Sequence, residues 1–452
     1  MAKRIAVLGA GITGLVAAWK MAQAGAQVML VEKADRVGGV IRSERRDGWL
    51  RETGPNSFTS AHHLDLVIDE LGLRGEALVT PLREHERFVW KNGRLRRVPT
   101  GPGELLTTDV LTATEKLRLL HGLVKSYDPP TDDLPLADFF RPVLGPAVVE
   151  SLLKPFLAGV YAADGDRVSF EATFHKLWLA VKGERRLLSA LKAMRRAAPP
   201  PPGPKKPRAL VSFRDGLETL PRRLAERAAS TGVEIRTGAT PSVTRAGAGW
   251  AVSTNGAEPW ACDAILVTSP AEAAAGFLRP HAPGLADWLD SVEYAALTVL
   301  HVGAPEAAFR DKRRGFGFLT VAEQGVEALG MIWNDRMFAG RVPDGRRILT
   351  CFYGGEKRPA ANALSDDALR AALHADLRTV LGHDGSSLEL FEIVRWKRAL
   401  PVFRVGHHTR QQKALQELPP GIHLAGNFLG GVSIPDRIES ALRLAAQLTG
   451  TP

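Results

Sequence analysis

A strand–glycine–helix pattern at the N-terminus, within residues 3–43, constrains the fold more than any other feature. The short apolar run Ile5–Leu8 predicts a buried parallel strand. Gly9, Gly11 and Gly14 follow at once, and a helical pattern opens behind them. At these three positions glycine permits, in turn, a tight turn, the approach of a pyrophosphate to the backbone, and close helix–strand packing. The free N–H groups at the helix start would then face the anion.

A second apolar run, Gln27–Val31, ends in Glu32, which lies 18 residues after Gly14. A carboxylate at that strand end accepts hydrogen bonds from a ribose 2′-OH and disfavours a 2′-phosphate. A glycine motif alone is weak evidence. Here the strand, the helix and the acid are all in place, so we interpret the motif as a dinucleotide-binding site, not a coincidental glycine-rich turn.

A glycine pair, Gly38–Gly39, comes shortly after this acid and is followed by Val40. The extension resembles the FAD-binding pattern of the flavin amine oxidase clan and differs from a plain NAD site. A further turn, Gly54-Pro55-Asn56-Ser57, combines glycine and proline, which together impose a bend. By pattern alone, an ordinary turn is the favoured reading of that segment.

Composition narrows the class of protein. The chain of 452 residues is 45% hydrophobic and 24% charged, which is typical of a globular protein of about three domain-sized units. A net charge of +10 would suit nucleic acid, anionic lipid or an acidic small molecule. Because the basic residues are scattered and only 7% of residues are aromatic, nucleic acid is the weakest of these, and we expect no nucleic-acid partner.

The cysteines and the apolar runs indicate in which cellular compartment the protein is expected. Cys262 and Cys351 cannot form a disulfide framework, which suits a reducing cytosol, and neither has metal-ligand spacing, so no metal site is predicted. The apolar run after Lys3 and Arg4 mimics a signal peptide but is broken by glycines. Since no stretch is long enough to span a bilayer, we expect a cytoplasmic protein, soluble or peripheral on the membrane.

Residues 103–198 change to a helical pattern. Arg185–Met194 is a basic amphipathic helix with Leu187, Leu188, Leu191 and Met194 on one side. It suits a membrane surface or, as the default, packing on a neighbouring domain. Pro199–Pro202, Gly203 and the residues from Pro204 to Arg208 then predict a polyproline linker, which marks a boundary.

A hairpin precedes this region, with strands Glu86–Trp90 and Arg94–Val98 joined at Asn92-Gly93. Alternation puts Arg94 and Arg96 on one face. Two guanidiniums there could hold a carboxylate, although a solvated edge strand is as good a reading.

Beyond the linker, Val233–Arg236, Trp250–Thr254 and Ala264–Val267 are predicted to add strands to the sheet that begins at residue 3. The strand around Gly421–Asn427 leads into a Gly-rich turn and a final helix, which is again a site for an anion or a carbonyl. The two halves of one nucleotide site therefore sit at opposite ends of the chain.

The chain resembles the FAD-dependent protoporphyrinogen/coproporphyrinogen oxidases of haem synthesis. The stretches that carry the resemblance cover the chain from end to end. They are Gly9–Gly14, Glu52–Phe58, Pro155–Val168, Gly315–Leu319, Phe352–Gly355 and Leu424–Ile438.

The resemblance implies an α/β fold (α+β overall) with a Rossmann-like FAD-binding domain of the flavin amine oxidase type, an α/β substrate domain and an inserted helical domain. The expected bounds are 1–92, 208–287 and 396–452 for the FAD-binding domain, 93–102 and 288–395 for the substrate-binding domain, and 103–207 for the helical, possible membrane-facing domain.

The resemblance also implies the cofactor contacts. Backbone N–H groups of Val432–Ile434 would stabilise charge on the flavin pyrimidine carbonyl. Trp396 resembles a family aromatic near the ring system, with a core tryptophan as the alternative. The implied FAD-binding residues are Gly9, Ala10, Gly11, Ile12, Thr13, Gly14, Glu32, Gly39, Val40, Gly54, Pro55, Asn56, Ser57, Val243, Trp396, Gly426, Asn427, Val432, Ser433 and Ile434.

For the substrate, the family pocket maps onto Leu319, Ile332 and Phe352, with Gly159 at the cavity wall and Arg96 as the propionate partner. Arg97 is the alternative to Arg96. Apolar and aromatic walls suit a flat tetrapyrrole, and an arginine suits its carboxylates. The segment Trp333–Ala339 departs from the small polar residues usual in the family after this position.

The implied reaction is three rounds of hydride transfer from a porphyrinogen to FAD, giving the porphyrin. No acid–base pair or nucleophile is singled out by spacing, so no catalytic side chain is named. The single GxGxxG motif favours O2 over a pyridine nucleotide as oxidant. The alternative functions are an amine oxidase or carotenoid desaturase of the same clan, or a non-catalytic flavin-binding or porphyrin-binding partner. The choice between coproporphyrinogen and protoporphyrinogen, a membrane surface as partner and a homodimer are left open.

Overall fold

The computed structural model describes residues 2–81, 86–197, 208–322 and 324–450. Residues 199–207 of the expected polyproline linker lie outside these ranges.

The strands of the described ranges, in chain order, are β1 Arg4–Leu8, β2 Gln27–Val31, β3 Ser43–Arg46, β4 Trp49–Glu52, β5 Phe58–Thr59, β6 Ala77–Pro81, β7 Arg87–Lys91, β8 Arg94–Arg97, β9 Ala209–Phe213, β10 Glu234–Arg236, β11 Pro241–Ala246, β12 Gly249–Thr254, β13 Trp260–Cys262, β14 Ala264–Val267, β15 Tyr294–Pro305, β16 Gly317–Thr320, β17 Gly330–Trp333, β18 Arg346–Gly354, β19 Leu390–Pro401 and β20 Ile422–Leu424.

The helices of the same ranges are α1 Ile12–Gln23, α2 His62–Glu70, α3 Pro102–Thr107, α4 Ala113–Val124, α5 Leu136–Leu144, α6 Pro146–Val148, α7 Lys154–Tyr161, α8 Phe170–Thr173, α9 His175–Gly183, α10 Leu187–Ala197, α11 Thr219–Ser230, α12 Ala271–Leu278, α13 Pro283–Asp290, α14 Asn334–Met337, α15 Asp366–Leu381, α16 His407–Leu415 and α17 Ile434–Thr449. A π-helical turn, Val149–Leu153, joins α6 to α7.

A five-stranded parallel sheet of order β10-β2-β1-β14-β20 forms the first layer. Its central strand β1 is buried on both faces. Ile5 and Val7 pack in the cluster that includes residues of α1, α11 and α17, while Ala6 and Leu8 pack on the other side. The prediction that strands from beyond the linker join the sheet of β1 is therefore confirmed for β10 and β14, and the same sheet also contains β2 and β20.

The strand Trp250–Thr254 is the exception. It lies within β12, which pairs antiparallel with β11 and β13 in a separate three-stranded sheet. The physical reason is local, because β11 and β12 are joined by the short turn Gly247–Ala248, and strands joined so closely can pair only antiparallel. The prediction that this strand extends the first sheet was wrong.

A mixed seven-stranded sheet, of order β19-β15-β18-β17-β16-β7-β8, carries the second α/β block. Its buried face packs on α15 through residues such as Leu300, Tyr353 and Leu373. The β7–β8 hairpin is confirmed, and its turn residues Asn92 and Gly93 both have positive φ, at 53° and 69°, as a primed two-residue turn requires.

Two of the expected domain bounds are moved by this sheet. Because β7 pairs with β16 as well as with β8, a boundary between residues 92 and 93 would divide the hairpin. Strand β19, which is an edge strand of this sheet, runs continuously across residues 395–396 and includes Trp396. The corrected bounds place residues 87–97 and the whole of β19 in the seven-stranded sheet.

Helices α3 to α10 occupy residues 102–197, and no described residue of that stretch lies in a strand. Their core is aromatic and includes Phe139, Phe140, Phe170 and Trp178. In the basic helix α10, Leu187 is buried but Leu188 is 37% exposed, so Leu188 does not lie on the packed side as expected. No helix within the described ranges has the length and apolar character needed to cross a membrane.

The two ends of the chain lie side by side. Helix α17 packs along α1 in one core, and the Nζ of Lys3 donates a hydrogen bond of 2.9 Å to the carbonyl of Leu448. Lys3 lies at the amino edge of the parallel sheet, just before β1, and it contacts the end of α17. Helix α17 therefore begins at the opposite, carboxyl edge, where α1 also begins after β1.

Candidate cofactor and substrate site

The glycine-rich turn after β1 has the geometry that a dinucleotide needs. Gly9 has φ +115°, and a Cβ at Gly14 would lie 1.9 Å from the Gly9 carbonyl oxygen. Gly11 begins α1 with no side-chain cap, and nothing lies within 4 Å of where its Cβ would be. The uncapped N–H groups of the first turn, which includes Ile12 and Thr13, therefore face open space, and the helix dipole favours an anion there.

Glu32 is held beside this turn by backbone donors. Its two oxygens accept hydrogen bonds from the N–H groups of Ala10 at 2.7 Å and of Ala34 at 2.9 Å. Each carboxylate oxygen keeps a further lone pair, so the group can still accept from ribose hydroxyls. This arrangement fits the predicted role of Glu32.

The glycine pair and the Gly54–Ser57 turn pack onto the first turn. A Cβ at Gly39 would lie 3.3 Å from the Cα of Gly11, and one at Gly54 would lie 1.9 Å from the carbonyl oxygen of Val40. The Val40 side chain is 57% exposed, which is unusual for a valine in such a closely packed place. Three stretches that are far apart in sequence thus meet, and the open surface over Gly11 and Val40 fits a bound cofactor.

The C-terminal stretch reaches the same edge of the sheet. Arg437 donates to the carbonyls of Gly426, at 2.5 Å, and of Gly430, which fixes the loop containing Asn427. Ser433 caps α17, and its N–H is used within the capping box by Asp436 at 3.3 Å. Of the three predicted donors, those of Val432 and Ile434 remain for a ligand.

Two further predicted residues lie at different ends of this surface. Val243 lies in β11, four residues after Ala239. The N–H of Ala239 donates to the Glu32 carbonyl at 3.0 Å, so Val243 lies at the end of the surface where Glu32 is. Trp396 is half-buried and donates from Nε1 to the Thr53 carbonyl at 3.1 Å, next to Gly54. This position favours a place beside the cofactor turn over a core tryptophan.

Asn56 connects the cofactor turn to the second sheet. Its Oδ1 lies 2.6 Å from Nδ2 of Asn334 and 3.1 Å from Oγ1 of Thr350, all of them buried. Thr350 Oγ1 is in turn 3.4 Å from Nδ1 of His301, which is fully buried. Burial lowers the pKa of His301 to about 4, with a smaller contribution from Arg51, so the ring is neutral.

Sequence reasoning missed Asn334, although it lies in the Trp333–Ala339 segment that departs from the family pattern. In this chain that departure supplies the partner of Asn56.

The predicted substrate residues share one face of the seven-stranded sheet. The ladder aligns Leu319, Gly330 and Phe352, and Ile332 lies two residues from Gly330 on the same side. Leu319, Ile332 and Phe352 are each half-buried, whereas their strand neighbours are buried. A Cβ at Gly159 would lie 2.1 Å from Cδ2 of Leu319, so α7 closes on this face. The four residues are brought together as an apolar wall.

Arg96 lies in the same row of the sheet but is already engaged. It donates from Nη1 to the carboxylate of Asp109 at 2.9 Å and to its carbonyl at 2.8 Å, and from Nε to the Lys91 carbonyl at 3.2 Å. The alternative, Arg97, pairs with Glu104 at 2.7 Å. Both guanidiniums have partners within the protein, and Arg96 as the propionate partner, with Arg97 as its alternative, stays a prediction.

Arg87 has the properties that Arg96 lacks. It pairs with Gly317 across the ladder, in the row of Ile332, and so lies on the substrate face. It is half-buried, and it makes no ion pair with any residue that the structure describes. Burial lowers the pKa of Arg87, and the nearby Arg208 adds to that effect. Strand alternation in the sequence already indicated the face of Arg87. Arg87 and Val89 are two residues apart and so lie on one side of β7, and Val89 pairs with Arg96, so all three share a face.

A separate cavity of about 490 Å³ lies between the helical region and the start of α17. Its lining includes Phe174, His175, His408, Gly430 and Asp436, and none of the five predicted substrate residues. The apolar wall is therefore defined by the sheet register and by exposed fraction, and not by this cavity.

Comparison with known proteins agrees with this geometry. The family model described as flavin containing amine oxidoreductase matches residues 12–449. Protoporphyrinogen oxidase of Nicotiana tabacum is 32% identical over 98% of this chain and 85% of the relative's chain. Coproporphyrinogen III oxidase of Bacillus subtilis (strain 168) is 27% identical over 97% of this chain and 96% of its own.

Solved structures agree on the fold. A crystal structure from Exiguobacterium sp. 255-15, provisionally named a protoporphyrinogen oxidase, matches with a TM-score of 0.80 at 26% identity and covers both chains fully. A putrescine oxidase matches with a TM-score of 0.71 at 17% identity, which speaks to the fold alone.

These findings confirm the predicted α/β fold with its Rossmann-like FAD-binding domain, and they identify FAD as the cofactor. The chain belongs to the flavin containing amine oxidoreductase family.

Proposed function

We propose that the protein oxidises a porphyrinogen to the corresponding porphyrin with FAD, in haem biosynthesis. The observation that carries the proposal is the apolar wall of Leu319, Ile332 and Phe352, which shares its sheet face with Thr350, the partner of the cofactor turn at Asn56. A flat tetrapyrrole on that wall would lie next to the cofactor. The names of the Nicotiana tabacum and Bacillus subtilis relatives support the same reaction class.

The chain's own residues bind and orient the reactants. FAD, when bound, supplies the two-electron acceptor chemistry. The helix starts at Gly11 and Ile434 favour negative charge at the pyrophosphate and at the pyrimidine side respectively. Asn56, Asn334 and Thr350 hold the cofactor turn against the substrate sheet, and α7 packs on Leu319 at Gly159. We assign no side chain as acid or base.

We propose Arg87 as the residue that binds a substrate carboxylate. Arg87 is half-buried, forms no ion pair with any described residue and lies over the Phe316 ring, with Cζ 5.4 Å from the ring centroid, so a bound carboxylate would add charge-assisted hydrogen bonds that the described residues do not supply. We further propose O2 as the electron acceptor, because one dinucleotide fingerprint accounts for FAD and no second one is present in the sequence.

The function is tested by anaerobic reduction of the FAD-loaded protein. We expect coproporphyrinogen III or protoporphyrinogen IX to bleach the flavin absorbance and to yield fluorescent porphyrin. Assaying both side by side identifies the preferred substrate. Bleaching by an amine or by phytoene, with none by either porphyrinogen, would overturn the proposal. Rapid reduction of the flavin by NADH in stopped flow would overturn the assignment of O2.

We propose, in addition, that the helical region docks on an anionic membrane from the cytoplasmic side. Leu117, Leu120 and Val124 of α4 are 67%, 38% and 52% exposed and follow helical spacing on one face. Helix α4 packs against α10, which ends in Arg195 and Arg196. Exposed leucine and valine beside basic side chains fit the interface of an anionic bilayer.

A further inference from the structure

Three side chains with metal-binding atoms converge outside the site described above. Glu171 lies in α8, His175 begins α9, and His408 lies in α16. One ligand atom from each lies within 4.8 Å of the other two, and the two imidazole rings are 4.9 Å apart between centroids. The cluster joins the helical region to the segment that leads into α17.

A network of hydrogen bonds holds the backbone of this cluster in place. Asp133 accepts from the hydroxyl of Ser169 at 2.7 Å and from the N–H of Gly406 at 2.8 Å, so one carboxylate ties the start of α8 to the turn before α16. The same Asp133 accepts from the N–H of Glu171 at 3.1 Å. The N–H of Ser169 donates to the Phe403 carbonyl at 2.8 Å. The backbone at the start of α8 and at the turn before α16 is therefore held in place before any ion binds.

The donor set selects a class of ion. Two imidazoles and one carboxylate are typical ligands of Zn²⁺, whereas Mg²⁺ and Ca²⁺ prefer oxygen ligands. The side chains of Glu171 and His175 make no hydrogen bond or ion pair with any residue in the described part of the chain. Gln412 Nε2 lies 2.9 Å from Nε2 of His408; turning the amide by 180° places Oε1 there to accept from Nε2–H, which leaves Nδ1 of His408 to bind the ion.

The cluster also borders the cavity of about 490 Å³, whose wall continues to Leu429, Gly430 and Asp436. Three protein ligands leave one position of a tetrahedral ion free, and the cavity gives that position access to water or to a small ligand.

We propose that Glu171, His175 and His408 bind one Zn²⁺, and that the ion fastens the helical region to the segment before α17. The site goes beyond the proposed function, because Glu171, His175 and His408 are not among the predicted cofactor or substrate residues. The cavity that they line is also lined by Gly430 and Asp436, next to the predicted cofactor residues of the C-terminal stretch.

The test uses the full chain loaded with FAD, with any affinity tag removed and with metals stripped by a chelator. Isothermal titration with ZnCl2 should give one saturable site per chain. His175→Gln and the double variant Glu171→Gln/His408→Gln should each weaken that site by at least about tenfold. The control His121→Gln changes an exposed histidine of α4 and should leave the affinity unchanged.

A second readout is thermal unfolding followed by flavin fluorescence. Zn²⁺ should raise the midpoint of the wild type and of His121→Gln but not of the double variant. Mg²⁺ at the same concentration should have no effect. The proposal is overturned if the wild type shows no saturable Zn²⁺ site, if the double variant binds Zn²⁺ as tightly as the wild type, or if Mg²⁺ binds equally well.

Discussion

The comparison of Arg87 with Arg96 shows that an internal ion pair determines whether an arginine is available to a substrate carboxylate. Arg96 and Arg87 lie on the same face of the sheet, yet Arg96 is held by Asp109, whereas Arg87 faces the substrate side without an ion pair among the described residues. We therefore expect the two positions to respond differently to substitution.

Arg87→Ala should lower kcat/KM for the porphyrinogen by about 10–100-fold, since a hydrogen bond to a charged group contributes about 1.5–3 kcal/mol. The loss should appear mainly in KM, because a remote carboxylate contact is made equally in the bound substrate and in the transition state. Arg96→Ala is the matched control, with a small effect. Steady-state kinetics of both variants checks this, and equal losses would contradict the assignment.

His301 should make stability depend on pH. Its pKa is about 4 in the folded protein and about 6.5 when unfolded, so the unfolded chain binds the extra proton between those values. Stability is therefore full above pH 6.5 and falls as the pH drops toward 4. The expected loss from this residue is about 2 kcal/mol between pH 7.5 and pH 5.

Urea unfolding of wild type and His301→Asn at both pH values measures this loss. Asparagine can still bond to Thr350 but does not titrate, so the variant should lose about 2 kcal/mol less than the wild type. Glu52, whose pKa burial raises to about 7, acts in the opposite direction because its folded form holds the proton longer. That effect is common to both proteins and cancels in the comparison. An identical pH dependence would contradict the prediction.

At the scale of elements, the short helix α14 and the Gly54–Ser57 turn act together through Asn334 and Asn56. Asn334→Ala would leave the buried Oδ1 of Asn56 with one partner fewer, at a cost of about 1–3 kcal/mol. We expect lower stability and a lower ratio of flavin to protein after purification. The absorbance ratio at 450 and 280 nm, roughly halved or less, checks this expectation. A variant with unchanged flavin content would show that the turn is held by other contacts.

The exposed face of α4 gives a second prediction at this scale. Wild-type protein should co-sediment with vesicles rich in anionic phospholipid and much less with phosphatidylcholine alone. The triple variant Leu117→Ser/Leu120→Ser/Val124→Ser should lose most of this binding. Leu66→Ser is the control, because Leu66 is 48% exposed but belongs to α2, outside the helical region. Equal binding by the wild type and the triple variant would contradict membrane docking through α4.

The sequence predicted elements well where periodicity and glycines carry the information. Strand β1, the turn at Gly9–Gly14, the hairpin at Asn92-Gly93 and the helix after Ser433 follow local rules, and the structure has all of them. Pairing between distant segments is not a local property. The alternation of side chains predicted which face of the strand carries Arg96, but it could not predict that Asp109 would be its partner. The strand Trp250–Thr254 was assigned to the first sheet, although its short connection to β11 requires it to pair with β11.

The candidate site was predictable in its residues more than in its contacts. The clustering of Gly39, Gly54 and Gly11 depends on close backbone approaches that no single segment shows. The link from Asn56 to Asn334 spans 278 residues and lies in a segment that departs from the family pattern. Such contacts follow from the packing of the two sheets, so they required the structure.

At the scale of the whole molecule, the contact between Lys3 and Leu448 makes circular permutation of the chain feasible. A circular permutant that joins the ends through a short glycine–serine linker, and opens the exposed 255–259 turn between Glu258 and Pro259, should fold and bind flavin. The expected result is a yellow protein with one flavin per chain, measured from its absorbance spectrum. A colourless but soluble permutant would show that the order of synthesis matters for assembly.

The pairing of α1 with α17 also implies a sequence of events at the ribosome. Helix α1 ends at Gln23 and α17 begins at Ile434, so a nascent chain cannot complete the core that holds both helices until α17 has been synthesised. A chain truncated before Ile434 would expose the apolar side chains of α1 that share a core with α17, which would make it a target for quality-control proteases.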